Sequence, residues 1–165
     1  MAFVAAKMEP KAKAAVVEGL TQGLADTALT TVKAQNYHWN VVGMAFGPLH
    51  DLFQNIYEDH FEAQDTVAER IKALDGHAEG TMSSWLARTS IKEKDGYASD
   101  REMIADMLEA QETMSATMAS LCAVADEHGD WATNDLATDR VTTHDKFAWM
   151  LRALLRDMPQ DNSGR

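Results

Sequence analysis

The sequence predicts an all-α protein built as a bundle of four long helices. Three observations lead to this prediction: the composition favours helices, apolar residues recur at helical spacing, and the helix breakers fall between the periodic stretches. Only nine glycines and three prolines occur in 165 residues, whereas alanine, leucine, methionine and glutamate are plentiful. A chain of this length fits a single domain.

Each long segment keeps the helical period between its breakers. The four segments cover about residues 10–40, 47–75, 98–128 and 131–158. The first is the weakest helix former, because Gly19 and Gly23 lower its propensity. A connection over residues 76–97 joins the second and third segments, and Met82, Trp85 and Leu86 within it predict a short extra helix.

Charge and cysteine content restrict the classes of function. Lysine and arginine number 15 against 26 aspartates and glutamates, which gives a net charge of −11. A surface this acidic repels nucleic acid and attracts cations. No apolar run reaches the roughly 18 residues of a membrane helix. The single cysteine excludes an internal disulfide and fits a reducing compartment, so we expect a cytoplasmic protein.

The expected domain organisation has three parts. Residues 1–13 are predicted to form a flexible N-terminal arm, residues 14–158 the bundle, and residues 159–165 a short C-terminal tail. The expected arm carries three lysines, which are Lys7, Lys11 and Lys13.

Helical bundles commonly hold metals with the motif Glu-x-x-His, which places both ligands on one face of a helix. No histidine of this chain has a glutamate three residues before it, so a metal site inside one bundle is unsupported. The remaining candidates are an i,i+4 carboxylate pair, Asp65 and Glu69, and the histidines His38 and His50 on either side of a helix break.

Helix geometry limits how these four side chains can meet. His50 and Asp65 are 15 residues apart in one predicted helix, so the rise separates them by about 22 Å. They cannot bind one ion within one chain. Asp65 and Glu69 lie about 160° and 200° from the centre of the apolar face at Val67. A shared metal would therefore need a second subunit packed on this outer face.

A simpler interpretation of the carboxylates stays open. Glu58, Glu62, Asp65 and Glu69 form one acidic stripe, and most such stripes are solvated helix faces. Other histidines have structural interpretations as well. His60 and His144 fall on apolar stripes, as core histidines do. His128 ends the third segment, where a cation suits the helix dipole, while His77 lies in a loop.

Two runs of motifs go beyond these patterns. The first run is Asn36-Tyr37-His38-Trp39-Asn40-Val41, Gly43, Phe46, Leu49-His50, Phe53, Tyr57, Asp65, Ala68-Glu69-Arg70-Ile71 and Leu74. The second is Gly129-Asp130, Asp135-Leu136, Arg140, His144-Asp145-Lys146 and Trp149-Met150-Leu151-Arg152. Over about residues 15–157 the chain resembles the Dps family, the DNA-binding proteins from starved cells, also called mini-ferritins.

This resemblance implies a ferritin-like bundle and a ferroxidase that oxidises Fe(II), preferably with hydrogen peroxide. It also implies a hollow homo-dodecamer built from two-fold dimers, which stores the ferric mineral and protects DNA. Carried over by position, His38 and His50 are iron ligands from one subunit, and Asp65 and Glu69 are ligands from its partner. Iron is the expected metal, at two ions per site, and no organic cofactor is implied.

Some positions refine the expected site. Many family members have an aspartate four residues after the second histidine, where this chain has Gln54. A neutral amide adds no charge, so we expect the second iron to bind weakly. Trp39 adjoins the site and is a candidate to intercept oxidising equivalents, although an interface aromatic is the plainer interpretation. The family's acidic three-fold pores suggest three candidates for iron uptake, Asp126, Asp130 and Asp135.

Two alternatives to the ferroxidase remain at this point. The chain could be a nucleoid-compacting DNA binder with secondary iron chemistry, acting through its lysine arm despite the acidic surface. It could also be a plain interaction bundle without metal, which would behave as a monomer and take up no iron.

Overall fold

The computed structural model describes residues 8–157, and within this range the chain forms helices and no β-strand. There are four long helices and one short one. They are α1 (Pro10–Asn40), α2 (Phe46–Ala73), α3 (Met82–Arg88), α4 (Asp100–Glu127) and α5 (Trp131–Asp157). The predicted bundle and its extra helix in the long connection are confirmed. None of these helices is long and apolar enough to cross a membrane.

Helix boundaries follow local chemistry. Helix α1 has Pro10 in its first turn, where the missing N–H is harmless. Helix α4 begins with a capping box, in which the Ser99 side chain accepts from the Glu102 N–H while the Glu102 carboxylate accepts from the Ser99 N–H. Gly129 ends the turn after α4 at φ 67°, a left-handed conformation that favours glycine.

The core lies between two packed helix pairs. Helix α1 packs on α2, α4 packs on α5, and α1 also contacts α4. The largest fully buried side chains are Phe53, Leu20, Leu49, Ile56, Ile71, Leu74, Ile104, Met107, Met114, Met118, Leu121 and Leu151. Methionines therefore fill core positions, as their unbranched side chains allow.

The two glycines of α1 have a packing role. A Cβ atom at Gly19 would lie 2.9 Å from Leu121 Cδ1, and one at Gly23 would lie 2.9 Å from Met118 Cε. Both neighbours belong to α4, so small residues let α1 and α4 approach closely. Tertiary packing thus explains why this segment contains two glycines, although glycine lowers helix propensity.

The N-terminal boundary differs from the expected one. Helix α1 begins at Pro10, so Lys11 and Lys13 lie on its first turn and not on a separate arm. Lys13 Nζ donates to Asp75 Oδ2 at 2.8 Å, which ties this turn to the residues after α2. Lys7, the start of the expected arm and the expected tail 159–165 lie outside the described residues.

Candidate metal centre

Two histidines of the predicted site form a reciprocal pair of hydrogen bonds where α1 ends and α2 begins. His38 Nδ1 donates to the backbone oxygen of His50 at 2.9 Å, and His50 Nδ1 donates to the backbone oxygen of His38 at 2.9 Å. The rings stack with centroids 3.7 Å apart and planes 24° apart. A carbonyl oxygen only accepts, so each Nδ1 carries a hydrogen, and Nε2 is the ring nitrogen left to bind a metal.

Aromatic side chains surround this histidine pair. Tyr57 meets the His38 ring edge-on at a centroid distance of 5.3 Å, and Phe46 stacks on His50 at 5.0 Å. Trp39, the residue after His38, is 70% exposed. Both histidines are half-buried. The pair is thus orientated from the protein side and open on the other, as a ligand pair must be.

The predicted carboxylate ligands lie on a different part of the surface. Asp65 and Glu69 are exposed on α2, and Asp65 lines a groove of about 530 Å³ together with Phe61 and Trp85. Both His50 and Asp65 belong to α2, so the helix rise places them about 22 Å apart. Within residues 8–157 no three His, Cys, Asp or Glu side chains converge to hold a metal. The histidine pair and the carboxylate pair are therefore separate groups within one chain.

Gln54 lies one turn after His50 on the same side of α2. Its Nε2 donates to Glu58 Oε1 at 2.7 Å, which points the amide nitrogen away along the helix. The amide oxygen is the only atom of this side chain that could bind a cation.

The three candidate pore acids have different environments. Asp126 and Asp135 are exposed, whereas Asp130 is fully buried. Asp130 accepts from Arg70 Nη2 at 2.6 Å and from the Thr133 hydroxyl at 2.5 Å, and it also caps the first turn of α5. This corrects the expectation for Asp130, because neither of its carboxylate oxygens is open to a passing cation. Asp126 and Asp135 remain candidates.

Arg70 is a structural residue that the sequence analysis did not identify. Besides Asp130 it donates to the Thr133 hydroxyl at 2.8 Å, and so it joins α2 to the start of α5. Burial disfavours the charged form of Asp130, but the hydrogen bonds from Arg70 and Thr133 prevail and lower its pKa. The sequence does contain a sign of this arrangement: Asp130 and Thr133 form the pattern Asp-x-x-Thr, which is typical of a capped helix start.

A polar network occupies the core where α2, α4 and α5 meet. Gln111 Nε2 donates to His60 Nε2 at 3.2 Å, and His144 Nδ1 donates to Gln111 Oε1 at 2.9 Å. Beside them Arg140 binds both oxygens of Asp59 at 3.2 and 2.6 Å. Both histidines are fully buried, as their apolar stripes predicted.

A second buried polar cluster lies behind the histidine pair. Lys33 and the Tyr37 hydroxyl both donate to Asp106 Oδ2 on α4. Lys33 is 8% and Tyr37 2% exposed. Burial and the Asp106 carboxylate raise the pKa of Tyr37 above its ordinary range. No sequence pattern indicated this cluster, because Asp106 lies 69 residues after Tyr37 in the chain.

Comparison with known proteins agrees with this architecture. A family model described as a ferritin-like domain matches residues 17–160. A DNA protection during starvation protein of Bacillus anthracis is 33% identical over 140 residues, which cover 85% of this chain and 96% of the relative. The X-ray structure of Dps from Thermosynechococcus elongatus is 28% identical, with a TM-score of 0.86 over 94% of this chain and 98% of the other.

A Vibrio cholerae O1 Dps structure is 27% identical, with a TM-score of 0.87 over 94% of this chain and 98% of the other. It is described as a member of a broad superfamily of ferritin-like diiron-carboxylate proteins. The helix order and the matching family model thus define a ferritin-like protein. Within that class, the chain belongs to the Dps family. Membership of this family supports a general role in iron storage and protection.

Proposed function

We propose that this chain is a ferroxidase mini-ferritin. It oxidises Fe(II), preferably with hydrogen peroxide, at sites shared by two subunits, and stores the ferric product inside a hollow dodecamer. This activity protects DNA, because peroxide is consumed and free Fe(II) is removed. The proposed location is the cytoplasm.

The proposal rests on one observation, the two reciprocal hydrogen bonds between His38 and His50. Metal-bound histidines usually donate the other ring N–H to an oxygen acceptor, which fixes the tautomer and the ring direction. Here both acceptors are backbone carbonyls, so the arrangement does not depend on any further side chain. Two imidazole nitrogens and two carboxylates form a donor set that suits iron.

Completion of the site requires a second copy of the chain. In an isologous dimer the same face of both subunits meets, so the histidine pair of one subunit can face Asp65 and Glu69 of the other. The groove beside Asp65 and the exposed ring of Phe61 (67%), one turn before Asp65 on α2, supply apolar surface on that face. Each dimer then holds two equivalent sites.

Fe(II) is the substrate, and this chain's residues have separate tasks toward it. His38 and His50 would offer ring nitrogens to the iron, and Asp65 and Glu69 of the partner subunit would offer carboxylate oxygens. Gln54 leaves the second iron position weak, because an amide oxygen adds no charge. Asp126 and Asp135 at the α4–α5 turn would concentrate Fe(II) at a pore between subunits.

A mixing experiment tests the shared site. One variant carries His38→Ala and His50→Ala, and the other carries Asp65→Ala and Glu69→Ala. Each should assemble but lose fast peroxide-driven oxidation of Fe(II), since every site lacks half its ligands. After the two are unfolded and reassembled together, roughly a quarter of the sites should recover, since random pairing makes half the dimers mixed and one site in each of these intact.

The control is a mixture of either variant with itself, taken through the same treatment. Mixed dimers are counted by native mass spectrometry, for which the two variants differ in mass. If mixed dimers form and oxidation stays at the level of the parents, the inter-subunit site is wrong.

A further inference from the structure

We infer that Glu58 supports the second iron position by acting through Gln54. This inference rests on the proposed function, in which Gln54 lies beside that position. Glu58 is a positioning residue: its carboxylate holds the Gln54 amide and adds negative charge behind it, while the amide oxygen is turned toward the iron. A neutral ligand and a carboxylate bonded to it then share the task of one acidic ligand.

The hydrogen bond between the two side chains fixes how the amide is turned. Gln54 Nε2 donates to Glu58 Oε1 at 2.7 Å. A carboxylate only accepts, so the amide nitrogen, and not the oxygen, must face Glu58. Among residues 8–157 no N–H or O–H group donates to the amide oxygen of Gln54. That oxygen is therefore available to a cation.

The spacing along α2 places this oxygen on the side of the histidine pair. Gln54 follows His50 by four residues and Glu58 follows Gln54 by four, so the three side chains form one row along the helix, with a rise of about 6 Å between neighbours. The nitrogen of the amide is directed toward the later turn, where Glu58 lies. The oxygen is thus left on the His50 side.

The charge of Glu58 is not neutralised by a cation of the protein. Within the described part of the chain no lysine, arginine or histidine forms an ion pair with Glu58. Fe(II) at the amide oxygen would draw electrons from the amide and make its N–H a stronger donor to the carboxylate. The carboxylate also attracts the ion through space, most strongly when a partner subunit covers this face and excludes water. Both effects favour the bound ion.

Among the three proposed ligands near the end of α1, only Gln54 is held by another side chain. His38 and His50 donate to backbone oxygens, which no substitution removes. Groups that are hydrogen-bonded to a metal ligand fix its orientation, and their loss typically lowers metal affinity by about 10–100-fold. A change at residue 58 should therefore affect the second iron and leave the histidine pair intact.

A double-mutant cycle on the assembled protein tests the inference. Anaerobic titration calorimetry with Fe(II) measures both binding steps in the parent, in Glu58→Gln, in Gln54→Asp and in the double variant. Glu58 is exposed, so its substitution should not prevent folding or assembly. We expect Glu58→Gln to weaken the second step by about tenfold and to leave the first unchanged. In the Gln54→Asp background the same change should shift the second step by less than about twofold, because the carboxylate at residue 54 then contacts the iron itself.

Glu62→Gln is the matched control. Glu62 lies one turn after Glu58 on the same acidic stripe and is not bonded to Gln54, so its loss should change the second step by less than about twofold. An equal loss in Glu62→Gln would indicate a general effect of charge and overturn the inference. No loss in Glu58→Gln overturns it too, as does a loss of equal size with and without Gln54→Asp, which would identify Glu58 as a direct ligand.

The same titrations separate this inference from the proposed function. A parent protein without a tight first step contradicts the proposed function. A tight first step without coupling between residues 54 and 58 contradicts only the role of Glu58.

Discussion

At the scale of single residues, the two proposed iron ligands His38 and His50 are held in place by the protein itself. Each ring is held by the backbone oxygen of the other residue, at 2.9 Å in both directions. Preorganised ligands lose little conformational freedom on binding. Because both acceptors are backbone carbonyls, removal of one imidazole leaves in place the carbonyl that orientates the other ring.

Gln54 provides a residue-scale prediction about metal affinity. Anaerobic titration with Fe(II) should give one tight and one weak iron per site, because the amide adds no negative charge. In Gln54→Asp the weaker step should tighten by about tenfold or more, which corresponds to about 1.4 kcal/mol. The introduced carboxylate would repel Glu58 one turn later, at a cost of about 0.2–0.5 kcal/mol, which is too small to hide the gain.

Isothermal titration calorimetry measures both steps. Gln54→Asn is the matched control, since it shortens the side chain without adding charge and should leave the weak step weak. Two equally tight irons in the parent protein would contradict this account of Gln54.

At the scale of helices, buried polar groups hold the bundle together at defined points. Arg70 links α2 to the start of α5 through Asp130, and the network of His60, Gln111 and His144 links α2, α4 and α5. These contacts fix the rotation of α2 about its own axis. That rotation is functionally relevant, because it decides which side chains of α2 face outward toward a partner subunit.

The buried histidines predict how stability depends on pH. Burial, and then the nearby charges of His60 and Arg140, lower the pKa of His144 to about 2. Burial also lowers the pKa of His60, although Asp59 opposes the shift. In the unfolded chain these rings bind protons near pH 6.5, so stability should fall as the pH drops below about 6.5, by about 1.4 kcal/mol per pH unit for each histidine.

Urea unfolding at fixed protein concentration between pH 7 and 5 checks this dependence. His144→Gln keeps a donor near Gln111 and removes the titrating ring. The free energy of unfolding should therefore fall less steeply with each pH unit. His77→Gln is the control, because His77 is exposed in a loop. An unchanged slope in His144→Gln would show that the acid sensitivity arises elsewhere.

At the scale of the whole molecule, the acidic surface and the few basic residues limit binding to DNA. The net charge is −11 per chain, and Lys13 is already paired with Asp75. Lys11 is exposed at the start of α1, and the other expected DNA contact, Lys7, lies outside the described residues. Contacts of lysine with phosphate weaken steeply with salt.

DNA retardation at low salt should therefore vanish at about 0.15 M salt. It should also vanish in the double variant Lys7→Ala with Lys11→Ala at low salt. Lys146→Ala, which removes an exposed lysine from α5, is the matched control and should bind as the parent does. Gel retardation over a salt series measures the effect, and salt-resistant binding by the double variant would require a different DNA site.

The sequence by itself determined the helices, because apolar period, breakers and caps act locally. It also determined that His50 and Asp65 cannot share an ion within one chain, since the helix rise alone sets their separation. Its motifs identified the Dps family. The local signal also located the start of α1 at residue 10, whereas the expected bound of the arm at residue 13 differs from the structure, in which Lys11 and Lys13 belong to α1.

Only the tertiary structure decided how side chains from distant segments combine. Sequence spacing could not reveal that Asp130 is buried against Arg70, that His60 and His144 share Gln111, or that Tyr37 meets Asp106. These contacts depend on helix rotation and packing, which are set by how the whole core fills space. The reciprocal bonds of His38 and His50 belong to the same group, because they require the break between α1 and α2 to bring two backbones together.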